Sequence, residues 1–152
     1  IALAQLEKID ELVELRIKSA KYFIEVMNET DFLIPQQVHE GYTNSYYTLG
    51  VKYEGETKIG ISWEQFRKAY IDAGGDGIYG AWSVPYLEPV IQEKKYVKRY
   101  PEIYDNISYP LGLCPIAESI QPKLMQFKTN YRNLDIARYK SDILYKLIKE
   151  YI

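Results

Sequence analysis

Tyr79, Trp82 and Tyr86 lie close together in the chain, with Pro85 and Glu88 beside them. Tyrosine and tryptophan on a Gly-containing loop present broad apolar rings with polar tips, which suits recognition of a sugar or nucleotide ring or of a partner chain. The same rings can instead close over the protein's own core, and the sequence leaves both readings open. The other chemistry-bearing residues read as structural. Gly74-Gly75-Asp76-Gly77 has the glycines of a phosphate loop, but such a loop follows a strand and opens a helix. Here the run closes a helix, so a helix stop followed by a tight turn is expected. Cys114 precedes Pro115 with no histidine near it, which leaves no source of thiolate activation and favours a packed, inert thiol. His39 sits in a polar loop beside Glu40, where a solvated imidazole is expected. The basic run Lys94-Lys95-Tyr96-Val97-Lys98-Arg99-Tyr100 can contact phosphates, but Glu93 and Glu102 flank it and a solvated face is the favoured reading.

The elements that must hold these residues are read from periodicity and caps. Residues 2 to about 28 form one long helix, because Ala2, Leu6, Ile9, Val13, Ile17, Ala20, Ile24 and Met27 recur at steps of three and four. No Ser, Thr, Asp or Asn caps its start, an expectation that the helix begins upstream. After a polar stretch with Pro35 and Gly41, residues 45–53 alternate as a half-buried strand, and Glu54-Gly55-Glu56 turns the chain. Ser62 and Gln65 form a capping box with Ile61 and Phe66 as its staple, so a helix should run from Trp63 to about Ala73. Residues 74–89 read as a shaped loop with at most a short strand near Ile78 to Trp82. A short helix over residues 114–120 with Pro115 in its first turn, a short strand over 123–127, and a C-terminal helix capped by Asn133 complete the order. Such an order predicts an α+β fold: a small, mostly antiparallel sheet of about three strands covered by helices, with a long N-terminal helix, in a single domain spanning residues 1–152.

Composition sets the outer limits. The chain has 152 residues, 19 basic against 21 acidic, one Cys and one His, and 16 of its aromatics are tyrosine. A domain of this size buries about two-thirds of its unfolded surface and needs no disulfide or structural metal. One thiol and one imidazole exclude a multi-Cys zinc site within the chain, and a net charge of -2 offers no footprint for nucleic acid. No apolar run reaches the roughly 18 residues of a membrane span, and no basic flank or cleavage pattern marks a signal peptide. A cytoplasmic protein without membrane or nucleic-acid partners is expected.

The order of the pieces resembles the C-terminal part of the DegT/DnrJ/EryC1/StrS family, the pyridoxal-phosphate-dependent sugar aminotransferases of aspartate-aminotransferase-like fold. Ala4-Gln5-Leu6-Glu7-Lys8-Ile9-Asp10-Glu11, then Leu15-Arg16 and Ala20-Lys21-Tyr22, are similar to that family's long interdomain helix. Residues 46–51 resemble its first small-domain strand. The helix from Trp63, the glycines after it, Pro85-Tyr86-Leu87-Glu88-Pro89 and Cys114-Pro115-Ile116-Ala117-Glu118 follow in the family's order over nearly the whole chain.

The resemblance implies a C-terminal small domain that forms one wall of a nucleotide-sugar cleft in a homodimeric enzyme, with the loop of residues 77–88 approaching that cleft. Tyr79, Trp82, Tyr86 and Glu88 are the candidates for contact. Where many relatives carry His or Tyr before a Pro-Leu-His segment, this chain has Ala81-Trp82-Ser83 and Tyr86-Leu87-Glu88, a slip of about one residue. The family's Schiff-base lysine, the aspartate facing the pyridinium nitrogen and most of its phosphate-binding groups belong to a large N-terminal domain. None of the lysines here has the family's serine-led context around the reactive lysine. No catalytic, cofactor-binding or metal residue is therefore expected in this chain, and pyridoxal phosphate is implied only for the parent enzyme. The alternatives are a free-standing module that binds a sugar nucleotide or a protein through the Tyr/Trp-rich loop, and a purely structural or assembly domain.

Overall fold

The computed structural model describes residues 2–94, 100–104 and 106–152. It contains helices α1 (Ala2–Leu6) and α2 (Ile9–Met27), strands β1 (Leu33–Pro35) and β2 (Leu49–Tyr53), helices α3 (Gly55–Ile59) and α4 (Trp63–Asp72), and strand β3 (Tyr79–Gly80). After these come α5 (Pro89–Gln92), α6 (Pro101–Tyr104), α7 (Pro115–Ile120), β4 (Leu124–Phe127) and α8 (Leu134–Lys149), with single 3-10 turns at Pro85–Leu87 and Gln121–Lys123. The strands form a four-stranded antiparallel sheet of order β1-β2-β4-β3, in which Leu33 pairs with Tyr53 and Pro35 with Val51. This is the α+β arrangement expected, with one strand more than the three predicted.

The chain divides into two compact units, one made of residues up to Tyr79 together with Met125–Ile152, the other of Gly80–Leu124. In the first unit α2 packs against α8. Ala20, Phe23 and Met27 of α2 are buried, as are Ala137, Ile143, Leu144, Leu147 and Ile148 of α8. Both sets repeat at steps of three and four, which puts each on one helix face. Between the helices and the sheet, Phe23 lies 5.9 Å from Phe127 and 6.2 Å from Tyr131 between ring centroids, and Phe66 lies 6.0 Å from Phe32 and 5.5 Å from Tyr53. Each such ring contributes about 1.5–3 kcal/mol on burial.

Local signals explain the element ends. Ser62 accepts from the Gln65 N–H while the Gln65 side chain accepts from the Ser62 N–H, which is the capping box read from the sequence. Gly74 adopts φ +94°, and the N–H groups of Gly74 and Gly75 donate to the carbonyls of Ile71 and Tyr70 at 2.9 and 2.8 Å. That pattern is a Schellman stop, the helix end expected of the glycine run. Asn133 accepts from the Asp135 N–H at the start of α8.

Four expectations change in detail. The long N-terminal helix is interrupted at Lys8 (φ -112°, ψ 9°), because Leu3, Leu6 and Ile9 are exposed and supply no packing to hold the first turns in line. Strand β2 starts at Leu49 rather than residue 45. Tyr46 has φ +47° and donates its N–H to Asn44 Oδ1, which breaks the extended run and leaves Tyr47 exposed. The Glu54-Gly55-Glu56 turn opens the one-turn helix α3, ended by Gly60 at φ +70°. The polar stretch before Gly41 holds β1, which at three residues ending in Pro35 is too short to show a period.

Candidate functional site

The first unit presents a groove of about 370 Å³ lined by Arg16, Tyr47, Tyr79, Gln126, Lys128 and Asn130 among others. Four parts of the chain bring these together, Tyr79 being supplied by β3. Arg16 comes from the middle of α2, Tyr47 from the turn ahead of β2, and residues 126–130 from the end of β4 and the segment after it. Arg16 Nη1 donates to the Tyr47 carbonyl at 2.9 Å and to Thr129 Oγ1 at 3.3 Å, and its guanidinium carbon lies 5.6 Å from the Tyr47 ring centroid. Thr129 is fully buried and donates to the Tyr46 carbonyl at 2.6 Å, while Thr48 Oγ1 donates to the Phe127 carbonyl at 3.3 Å. Buried polar groups must find partners, and these bonds fix the turn that carries Tyr47 against the end of β4. Behind them Asp76 accepts from the Tyr131 hydroxyl, with Lys128 and Lys140 at 3.6 and 3.7 Å. Burial, reinforced by the Asp76 carboxylate, pushes the Tyr131 phenol up, so it stays a neutral donor.

The second unit centres on a polar node. The Tyr86 hydroxyl donates to Glu118 Oε1, and the Gly112 N–H lies 2.9 Å from both Glu118 oxygens. The Cys114 N–H reaches Tyr86 Oη at 3.0 Å and Glu118 Oε1 at 3.3 Å. Desolvation and the adjoining Glu118 carboxylate push the Tyr86 phenol up to about 12. The hydrogen bond from Tyr86, followed by those of the Gly112 and Cys114 amides, lowers the Glu118 carboxyl below its ordinary value.

The four residues singled out from the sequence are thus divided. Tyr79 lines the groove of the first unit with its side chain 64% exposed. Trp82, Tyr86 and Glu88 belong to the second unit, where Trp82 is 91% exposed, Tyr86 is held by Glu118, and Glu88 is exposed at the start of α5. Cys114 corrects the expectation of a packed thiol. It is exposed, because Pro115 opens α7 and the Cys114 amide is engaged with Tyr86 and Glu118 while the side chain faces outward. His39 and Glu40 are exposed as expected. Of the basic run from Lys94 to Tyr100, residues 95–99 lie outside the described residues. Sequence reasoning missed Arg16, Tyr47 and Asn130. The one available signal was a basic residue set between Val13 and Ala20 on the core-facing stripe of α2. Among the described residues no group of His, Cys, Asp and Glu is placed to hold a metal, and no helix is long and apolar enough to cross a membrane.

No family model matches the sequence, and no curated protein matches it. Solved structures do. Over 97% of its length the chain matches 36% of Helicobacter pylori PseC, an aminotransferase involved in the biosynthesis of pseudoaminic acid, with a TM-score of 0.69 at 13% identity. This chain has the fold of a sugar-aminotransferase segment. It matches 36% of DesI, solved in the presence of its TDP-sugar product, over 97% of its own length with a TM-score of 0.65 at 14% identity. It also matches 33% of E. coli GDP-4-keto-6-deoxy-D-mannose-3-dehydratase, solved with bound hydrated pyridoxal phosphate, over 93% of its length at 17% identity with a TM-score of 0.59. The chain therefore spans about a third of the length of the enzymes it matches, and at these identities the likeness concerns the fold.

Proposed function

We propose that this chain is the C-terminal small domain of a pyridoxal-phosphate-dependent aminotransferase acting on a nucleotide-linked keto-sugar. In this reading it forms one wall of the substrate cleft, performs no chemistry alone, and works with a large N-terminal domain in a cytoplasmic homodimer. The observation that carries the reading is the fold match over 97% of the chain to an aminotransferase of which it covers 36%. The order of family-like segments in the sequence and the exposed Leu3, Leu6 and Ile9, an apolar stripe of the kind a docking domain covers, support it.

The described residues do not fit a pyridoxal phosphate site. That cofactor needs a lysine amine in a dry pocket, an acid near the pyridinium nitrogen and a cradle for the phosphate. Lys18, Lys58, Lys68 and Lys149 lie on the surface paired with Glu14, Asp31, Asp72 and Glu29, and Lys128 and Lys140 face Asp76. The bond-making groups belong, in this reading, to the large domain. This chain contributes orientation: Tyr79 with the groove around Arg16, and the stretch holding Trp82, Tyr86 and Glu88, are the surfaces offered to the sugar nucleotide.

Two measurements test the proposal. The coding sequence ahead of residue 1 should encode a lysine-bearing domain of roughly 230 residues, a normal size for one domain. Borohydride treatment of the chain mixed with pyridoxal phosphate should give no stoichiometric label, and labelling at a single lysine would contradict the incompetence assigned here. The high exposure of Trp82 favours a second reading, a free-standing binding module. Calorimetric titration with nucleotide sugars separates the two, since a half-cleft binds weakly and sub-micromolar affinity would establish the module.

A further inference from the structure

Residues 109–113 of the second unit include no buried side chain, and Leu111 and Leu113 stand mostly in solvent. Area removed from water therefore does not hold this segment. Two side chains do. At one end the Gln92 side-chain amide donates to the Tyr109 carbonyl at 2.8 Å and to the Tyr86 carbonyl at 2.6 Å. At the other the Glu118 carboxylate accepts from the Gly112 N–H at 2.9 Å, from the Cys114 N–H at 3.3 Å and from the Tyr86 hydroxyl. Gly112 presents its amide there from φ +92°, a conformation that costs glycine little. The two ends differ in kind. Gln92 is neutral and does not titrate. Glu118 gathers three donors on a single charge. It faces the Tyr86 hydroxyl from the turn at 85–87, and the Gly112 and Cys114 amides from the segment ahead of α7, Cys114 also carrying a thiol. Among the described residues no cation pairs with it. Hydrogen bonds to an ionised acceptor are about twice as strong as neutral ones, so loss of that one charge weakens all three together.

We propose that residues 109–113 form a strap, hinged on Gln92 and latched by Glu118, whose opening frees the Tyr86 hydroxyl for a ligand. While the latch is closed that hydroxyl is spent on Glu118. The hydrogen bond from Tyr86, followed by those of the amides, keeps the Glu118 carboxyl below its ordinary value, so the latch is charged and closed at neutral pH. A segment with few buried contacts opens locally, at a cost below that of global unfolding. That the ligand is substrate rests on the cleft reading above; the strap rests on these contacts alone.

The test is chymotryptic cleavage of the full chain at neutral pH. Mass spectrometry follows the bonds after Leu111 and Leu113 against the bond after Tyr47, an exposed site in the first unit. E118Q should speed cleavage after the two leucines about tenfold, the loss of one charge-assisted bond, and leave the Tyr47 site at its parent rate. G112A opens the strap by another route, with Glu118 and Tyr86 intact. An added methyl meets nothing within 4 Å, but φ +92° is strained for alanine, so about a fivefold rise at the same two bonds is expected. With tyrosine isotope-labelled at Cζ, the Tyr86 resonance, identified with Y86F, should shift in E118Q while the Gln92 side-chain amide signal keeps its parent position. Parent rates after Leu111 and Leu113 in both variants, an acceleration shared with the Tyr47 site, an unmoved Tyr86 resonance, or a Gln92 signal that moves with the strap would each overturn the assignment. A strap that opens as described, with no lysine domain upstream, would leave the device standing and remove the aminotransferase reading. A lysine domain upstream with an unmoved strap would do the reverse.

Discussion

In the unit made of residues up to Tyr79 with Met125–Ile152, most of the buried side chains are hydrophobic, the bulky ones including Phe23, Phe32, Phe66, Tyr70, Leu144 and Ile148. In the unit Gly80–Leu124, Val84 is the one buried apolar side chain among the described residues, and Trp82, Leu111 and Ile116 stand mostly in solvent. The first unit is held by area removed from water, a term indifferent to pH and large enough to meet the cost of chain ordering. The second is held by directional contacts: Tyr86 and Glu118 with the Gly112 and Cys114 amides, Gln92 donating to the Tyr86 and Tyr109 carbonyls, and Gln121 donating to the Ala81 carbonyl. Such bonds hold only while their geometry and, at the Tyr86 node, the charge on Glu118 persist. The contrast predicts that substitutions in the first unit change global stability, whereas substitutions and pH in the second act locally.

The largest effect should come from Phe23→Ala. The ring is fully buried between Phe127 and Tyr131, and its removal should cost about 3–5 kcal/mol by denaturant unfolding. A loss under about 1 kcal/mol would show that the first unit is not burial-dominated. Ser62→Ala comes next. It removes the hydroxyl that accepts from the Gln65 N–H and leaves the backbone half of the reciprocal cap on α4, at about 1 kcal/mol in the same measurement.

The node of the second unit should respond to pH from both sides. Glu118 has a folded pKa below its ordinary 4.5, so its contribution is present above that value and is lost as pH falls through the folded one. Tyr86 is raised from 10 to about 12, so its contribution is present below pH 10 and is lost as pH rises toward 12. Hydrogen exchange at the Gly112 and Cys114 amides should therefore accelerate below about pH 4.5, ahead of any exchange in α8. Glu118→Gln should abolish that acid step while leaving the unfolding midpoint of the first unit in place. Simultaneous loss of protection in both regions would join what the comparison separates.

The same division governs what was legible in the sequence. Ser62 with Gln65, Gly74 with Gly75, Asn133, and the periodic α2 and α8 could be read because caps and stripes are local and act within four residues. Helix α3 was missed because its start depends on tertiary packing. Gly55 is buried against the Tyr53 ring, where an added Cβ would come within 2.2 Å, and Lys58 pairs with Asp31 from the bend ahead of β1. The aromatic stretch was legible as composition, but its division between two units was not. Tyr79 belongs with residues 126–130, which return to the sheet only after the whole second unit. The groove joins Arg16 to Tyr47 across 31 residues and to Thr129 across 113, separations at which no single-sequence pattern operates.

Trp82→Ala tests the comparison at its weakest point. A ring this large normally contributes 3–5 kcal/mol when buried and within about 0.5 kcal/mol when solvated. At 91% exposure the solvated value applies, so the unfolding free energy of the full chain should stay within about 0.5 kcal/mol of the parent. The fluorescence of Trp82, isolated in a Trp63→Phe background, should be that of an indole in water and open to a neutral quencher. Should the substitution cost more than about 2 kcal/mol, or the emission prove shielded, Trp82 is packed. The second unit would then have a core of its own, and the division between a unit held by burial and a unit held by polar contacts would fall.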